Sequence, residues 1–174
     1  SITNSWSASK LIKPALTDPE TASNPETWKL AGDIEYKAFD VEKTNEMTKA
    51  LSGKGADEEK MYSALYNLYD PYLIADSLGQ LPNEKGQVKN KYRKDIVKTL
   101  KEAYPFYING GLFYNGKENY SKASEFFERY WAIPTLPIFE GESGFSTTDT
   151  TFQTIKYYAT ITAIQSQNHA RSIN

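Results

Sequence analysis

Apolar residues in this chain recur every three or four positions over most of its length and nowhere alternate strictly between turn signals. The first spacing lines one face of a helix, whereas strict alternation would line one face of a strand. An all-α fold is therefore expected, with little or no sheet. Trp28, Ala31, Ile34 and Ala38 form one such face, and Met61, Ala64, Leu65, Leu68, Tyr72 and Ala75 a second. Tyr92, Ile96, Leu100 and Ala103 form a third, and Phe126, Phe127, Tyr130 and Trp131 a fourth. The last carries Phe152, Ile155, Tyr158, Ala159 and Ile161 or Thr162.

The punctuation agrees with this pattern. Asn24-Pro25-Glu26-Thr27 sets a capping Asn before a proline at the first helical position, then an acid in the first turn. Asp57 and Asn119 stand as caps of later helices. Loops are expected at Ser52–Ala56, Leu81–Gly86 and Gly141–Asp149. Pro71 inside the second pattern predicts a kink or break near Asp70. Pro105 either kinks its helix or opens a new one, and Pro134-Thr135-Leu136-Pro137 ends the helix before it.

Composition narrows the function classes. At 174 residues the chain has the size of one domain. Its 13 Tyr, 8 Phe and 3 Trp can build a core with few aliphatics. It has no cysteine, which excludes disulfides, thiolate catalysis and thiolate metal sites, and its one histidine, His169, leaves no set of histidine ligands. His169 reads as a polar residue at a helix start. No cofactor is expected. The net charge of −2 argues against a general nucleic-acid binder. The run Lys89, Lys91, Arg93, Lys94, Lys98 and Lys101 is locally basic and reads as a solvated helix face. No apolar run approaches the ~20 residues of a membrane span. Ser1 to Trp6 lacks the basic and apolar regions of a signal peptide. These features fit the cytoplasm and a bacterial envelope protein alike.

The clearest internal unit runs from Tyr104 to Pro134 and reads Y-P-F-Y-I-N-G-G-L-F-Y-N-G-K-E-N-Y-S-K-A-S-E-F-F-E-R-Y-W-A-I-P. This unit resembles a tetratricopeptide repeat, a helix–turn–helix of 34 residues. On that resemblance Tyr107 takes the large aromatic place, Gly111 the small place where two helices touch, and Tyr114 the second aromatic place. Gly116 starts the turn, Tyr120 opens the second helix, Ala123 is its small residue and Phe127 its bulky one. Tyr130 stands where the pattern prefers Ala, which implies looser packing at the far end. Upstream, Trp28, Ala31 and Gly32 match the first-helix pattern, with Ala64 and Leu68 in the small and bulky places of a partner helix delayed by an insertion from about Thr44 to Ala56. Downstream, Tyr157-Tyr158-Ala159, Thr162-Ala163 and Asn168-His169-Ala170 resemble a third copy with a short turn.

The resemblance implies a right-handed superhelix of antiparallel helix pairs, with about three irregular repeats in a single domain spanning residues 1–174. The repeats cover about 24–80, 104–134 and 150–174, the last incomplete, so the chain is expected to be a fragment of a longer one or to borrow a partner there. A leading helix over Ser5 to Leu16, carrying Trp6, Leu11, Ile12 and Leu16, would cap the stack. It further implies a non-catalytic scaffold whose first helices line a concave face for a protein or peptide. Transferred by position, that face holds Lys29, Asp33, Tyr36 and Lys37 in the first copy and Ile108, Leu112 and Asn115 in the central one. Some members of the family clamp a C-terminal carboxylate with Lys and Asn. Here Lys29 matches one clamp position, but Asp33 would repel a carboxylate, and Ile108 and Leu112 offer it no donor.

Two other readings stand beside the scaffold. One is a helical enzyme or carbohydrate-handling domain, which a deep pocket holding carboxylates of raised pKa would favour. The other is a spacer that positions a C-terminal effector domain. The local motifs add little to either. Ser52-Gly53-Lys54-Gly55 lacks phosphate-loop spacing, and Ser143 beside Gly144 lacks the spacing of a nucleophile elbow. Asp57, Glu58 and Glu59 suit a helix N-terminus, and Glu125 with Glu128 an exposed helix face.

Overall fold

The computed structural model describes residues 2–173, and side chains from residue 8 to residue 170. Trp6, expected in the leading helix, lies outside the described side chains. The helices are α1 (Ile2–Thr17), α2 (Pro19–Ala22), α3 (Pro25–Met47), α4 (Lys49–Ser52), α5 (Glu58–Gly79), α6 (Arg93–Ala103), α7 (Phe106–Gly116), α8 (Tyr120–Ala132) and α9 (Thr150–Ile173). Two 3-10 turns, Ile133–Thr135 and Pro137–Phe139, follow α8. No strand occurs among the described residues, so the protein is all-α. The helices fall into two compact units, Ser1–Thr99 and Leu100–Asn174, with the division inside α6.

In the first unit α3 and α5 form the main pair. Asn24 and Asp57 cap them, each carboxyl or amide oxygen accepting from a backbone N–H of the first turn. Glu42 and Glu46, late in α3, accept from the backbone N–H groups of Asp57 and Ala56, just before α5. Asp33, early in α3, meets Tyr72, late in α5. These pairs make the two helices antiparallel. Phe39, Leu65, Leu68, Tyr72 and Ala75 are fully buried. α1 packs on α3, with the Ser9 hydroxyl donating to Glu35 at 2.9 Å.

Helix α5 passes through Pro71 without a break, so of the two alternatives expected there, a kink or a break, the break does not occur. The proline leaves the carbonyl of Asn67 without its usual donor, but Asn67 is exposed and water can serve it. Leu68, Tyr72 and Ala75, fully buried on both sides of the proline, hold the helix through. The supposed insertion from about Thr44 is helical as far as Ser52, and the expected loop is found at Gly53–Ala56. α3 runs to Met47 and α4 to Ser52, where Gly53 closes the helix in the left-handed conformation at φ 71°.

A polar clasp fixes the start of α6. Asp76, buried near the end of α5, accepts from Arg93 Nε at 2.8 Å and from Arg93 Nη2 at 2.7 Å, and also from the Asn90 amide at 2.8 Å. Asn90 in turn accepts from the backbone N–H groups of Tyr92 and Arg93, as a helix cap does. Lys89, Lys91 and Tyr92 therefore precede the helix rather than belonging to it. Leu81 to Lys89 are all exposed.

The second unit is built on α7, α8 and α9. The turn between α7 and α8 is a Schellman motif: Asn119 N–H bonds the Tyr114 carbonyl at 2.9 Å and Glu118 N–H the Asn115 carbonyl at 3.0 Å. So short a turn makes the two helices antiparallel. The residue in the left-handed conformation is Glu118, at φ 58°, two positions after the glycine that the sequence offers for the turn. Pro105 opens α7 as one of the two expected alternatives. Tyr130 does not loosen the far end. It is buried and stacks on Tyr104 with ring centroids 4.4 Å apart and an interplanar angle of 7°.

α9 is antiparallel to α8, since Tyr120 meets His169, Phe127 meets Tyr158 and Tyr130 meets Phe152. It is continuous over Thr150–Ile173, so the turn of the expected third copy is absent. His169 consequently lies well inside α9, edge-on to Tyr120, and not at a helix start.

Candidate functional site

The first-helix candidates separate into two kinds. Lys29 and Asp33 on α3 are engaged inside the first unit. Lys29 Nζ donates to both oxygens of Asp33 at 2.8 and 2.7 Å and pairs with Asp95 at 2.6 Å, leaving its side chain only 12% exposed. Asp33 also accepts from the Tyr72 hydroxyl at 2.8 Å. Burial pulls the Lys29 ammonium down, but the hydrogen bonds and charges of Asp33 and Asp95 outweigh it and hold the group above its ordinary value. Burial, then the Asp33 carboxylate, push the Tyr72 phenol far up. These two residues tie α3 to α5 and α6. Tyr36 is half-buried with its ring 6.1 Å from that of Phe39, and Lys37 is exposed. On α7, Ile108 is half-buried, Asn115 exposed and Leu112 49% exposed.

The repeat-packing candidates are nearly all in the core. Ala64, Tyr107, Gly111, Tyr114, Ala123, Phe127 and Ala159 are buried, as is Gly32. Tyr120 and Trp28 are half-buried, and the Trp28 indole N–H donates to the Ala22 carbonyl at 2.8 Å. Two contacts define the helix pairs. A β-carbon on Gly111 would collide with the Phe127 ring, and one on Gly32 with the Tyr72 ring. The bulky residue that meets Gly32 is thus Tyr72, one helical turn beyond the Leu68 that the sequence alignment assigns. Gly110 is used in the same way, its missing β-carbon standing 2.5 Å from Phe126.

A surface that the sequence reasoning missed lies between α8 and α9. Trp131 on α8 and Lys156, Ala159, Thr160, Ala163 and Ile164 on α9 line an open trough of about 370 Å³. Trp131 stacks on Phe152, and Lys156 Nζ lies 4.8 Å from the Trp131 ring centroid. Glu128 and Gln167 complete the walls. The signal was present in the sequence as Ala159 and Ala163, four apart beside Trp131 and Ile164, but the third-copy alignment absorbed it.

Groups suited to acid–base or metal chemistry do not converge. Glu35, on α3, is a half-buried carboxylate. Burial raises it, partly offset by the Ser9 hydrogen bond and the charge of Lys13. It lies in the α1–α3 contact rather than in the trough. No three His, Asp or Glu among the described residues gather so as to hold a metal ion. No described helix is long and apolar enough to cross a membrane. No family model matches the chain, and neither a curated protein nor a solved structure is similar to it.

Proposed function

We propose that this protein is a non-catalytic scaffold of tetratricopeptide-like helix pairs that binds a protein or peptide through the exposed faces of its first helices. The observation that carries the reading is the repeated glycine–ring contact. In both α3–α5 and α7–α8 a glycine on the first helix seats an aromatic ring from the antiparallel second helix, Gly32 with Tyr72 and Gly111 with Phe127. Such close approach at one repeated place is what stacking of helix pairs requires. On this reading the pairs wind as a right-handed superhelix of about three irregular repeats, with α9 as the first helix of the third.

In the first unit Lys37 is then open to a ligand, with Tyr36 half-buried and Lys29 and Asp33 on the same helix; in the second unit Leu112 and Asn115 are open, with Ile108 half-buried. A partner of mixed apolar and polar character suits that set. The test is selection of displayed peptides against the full chain, followed by titration of the winners into Leu112→Arg, Asn115→Ala and Lys37→Glu. Binding that these changes weaken by about tenfold, roughly 1.4 kcal/mol, supports the reading. Peptides indifferent to all three changes refute it.

A further inference from the structure

The trough between α8 and α9 has small residues along its floor and Glu128, Lys156, Thr160 and Gln167 as its polar lining. Ala159 is buried and Ala163 half-buried along its base. The Thr160 hydroxyl is already committed to the Lys156 carbonyl of its own helix at 3.2 Å. The walls are apolar where they stand highest, with Trp131 37% and Ile164 50% exposed. Glu128 and Lys156 stand on its two helices, and neither has an ion pair among the described residues. The same chain shows twice what covers such a floor. At Gly32 and at Gly111 a small residue on one helix receives an aromatic ring from an antiparallel helix.

We propose that this trough takes an amphipathic α-helix of a partner protein. The helix seats an aromatic or large aliphatic side chain on Ala159 and Ala163 and turns a basic residue toward Glu128 and an acidic one toward Lys156. The length agrees. From Lys156 to Gln167 the floor runs about 16 Å along α9, or three helical turns, which leaves room for anchors at i, i+4 and i+7 of a docked helix, about 10.5 Å from first to last. The walls are helices whose backbone groups are internally bonded, so an extended strand would gain no main-chain partners there. A small polar molecule would leave the apolar surface of Trp131, Ala159, Ala163 and Ile164 uncovered. Glu128, and Lys156 on its side of the Trp131 ring, have no ion pair among the described residues and supply register and direction to a helix. This inference concerns a different surface from the first-helix faces and does not depend on the repeat reading.

The probe is a fluorescein-labelled, stapled helical peptide of about fourteen residues with Phe at i, i+4 and i+7, a Glu placed to face Lys156 and a Lys to face Glu128. Anisotropy titration into the full chain is expected to show saturable binding. Ile164→Arg and Lys156→Glu should each weaken it by about tenfold, and a peptide with its Glu changed to Lys should regain affinity for Lys156→Glu. Leu112→Arg should leave it unchanged, which separates this site from the first-helix face. Circular dichroism checks that each variant is folded, with Thr160→Lys, also at an exposed position, replacing any that is not. Absence of saturable binding, sensitivity to Leu112→Arg in place of Ile164→Arg, or failure of the charge swap overturns the proposal. A concentration-dependent dimer in sedimentation that Ile164→Arg dissolves also overturns it, because the occupant would then be a second copy.

Discussion

The ring of Tyr72 fills the space that a side chain on Gly32 would need, so the closest approach of α3 and α5 is set by a residue with no side chain and one with a large one. Phe127 stands in the same relation to Gly111. Both rings are fully or almost fully buried and have nowhere to retreat. Gly32→Ala and Gly111→Ala should each cost about 1–3 kcal/mol in urea unfolding through overpacking. Gly116→Ala is the control. Nothing lies within 4 Å of a β-carbon there, so it should be neutral or stabilising by about 0.4–1 kcal/mol. Equal effects at all three sites would contradict this packing.

Glu118 holds the left-handed position of the Schellman turn without the freedom of a glycine. Glu118→Gly should therefore stabilise the protein, by up to about 1 kcal/mol, read as a rise in the urea midpoint at constant slope. A fall in the midpoint would mean that the side chain contributes more than the backbone strain costs.

Arg93 and Asp76 form a two-point pair in which the carboxylate is buried and the guanidinium is about a third exposed. Arg93→Ala leaves Asp76 with Asn90 as its remaining side-chain donor and should cost about 1.5–3 kcal/mol. Lys49→Ala, which removes an exposed pair with Glu46, should stay within about 0.5 kcal/mol.

Glu35 gives a pH signature. Burial raises its carboxyl above the ordinary 4.5, so the folded protein binds this proton more tightly than the unfolded chain does. The stability it contributes is whole below pH 4.5 and is lost as pH rises through the folded value. Glu35→Gln should remove that decline, visible as a flatter profile of unfolding free energy against pH from about 4.5 upward. Tyr62, which burial and the charges of Glu58 and Glu46 push up to about 12, acts at the other end. Its contribution is present below pH 10 and is lost as pH rises from 10 toward 12, which phenolate absorbance can follow.

A C-terminal carboxylate should find no clamp on the first helices. Lys29 is already held by two carboxylates, Asp33 adds negative charge, and Ile108 and Leu112 provide no donor. Acidic peptides titrated as free acid and as amide should behave alike. Micromolar binding confined to the free acid would overturn this assignment.

Much of the fold was legible because local rules and packing agree. Asn24, Asp57 and Asn119 cap the helices that their spacing announced, and the buried faces of α5, α6 and α8 follow the three-and-four pattern. The failures share a cause, which is that tertiary contacts override local signals. Pro71 stays inside α5 because buried neighbours flank it. Gly116 looked like the turn residue, yet Glu118 accepts the left-handed conformation so that two carbonyls of α7 are satisfied. That Asp95 and Tyr72 close on Lys29 and Asp33 was not legible, because both lie far away in sequence. The trough between α8 and α9 was hidden because its floor also fits a helix-pairing pattern.

Between Leu81 and Lys89 the chain leaves and returns to a fastening made by Asp76, Asn90 and Arg93, and Asn83 folds the excursion on itself by accepting from Lys85 and Gln87. The ends of this segment are thus anchored independently of what lies between them. Lengthening a tethered segment costs only about 0.6 kcal/mol per doubling. Gly86, at φ 72° with open space around it, is accordingly a place where a reporter or an affinity sequence can be spliced in while α5 and α6 keep their positions.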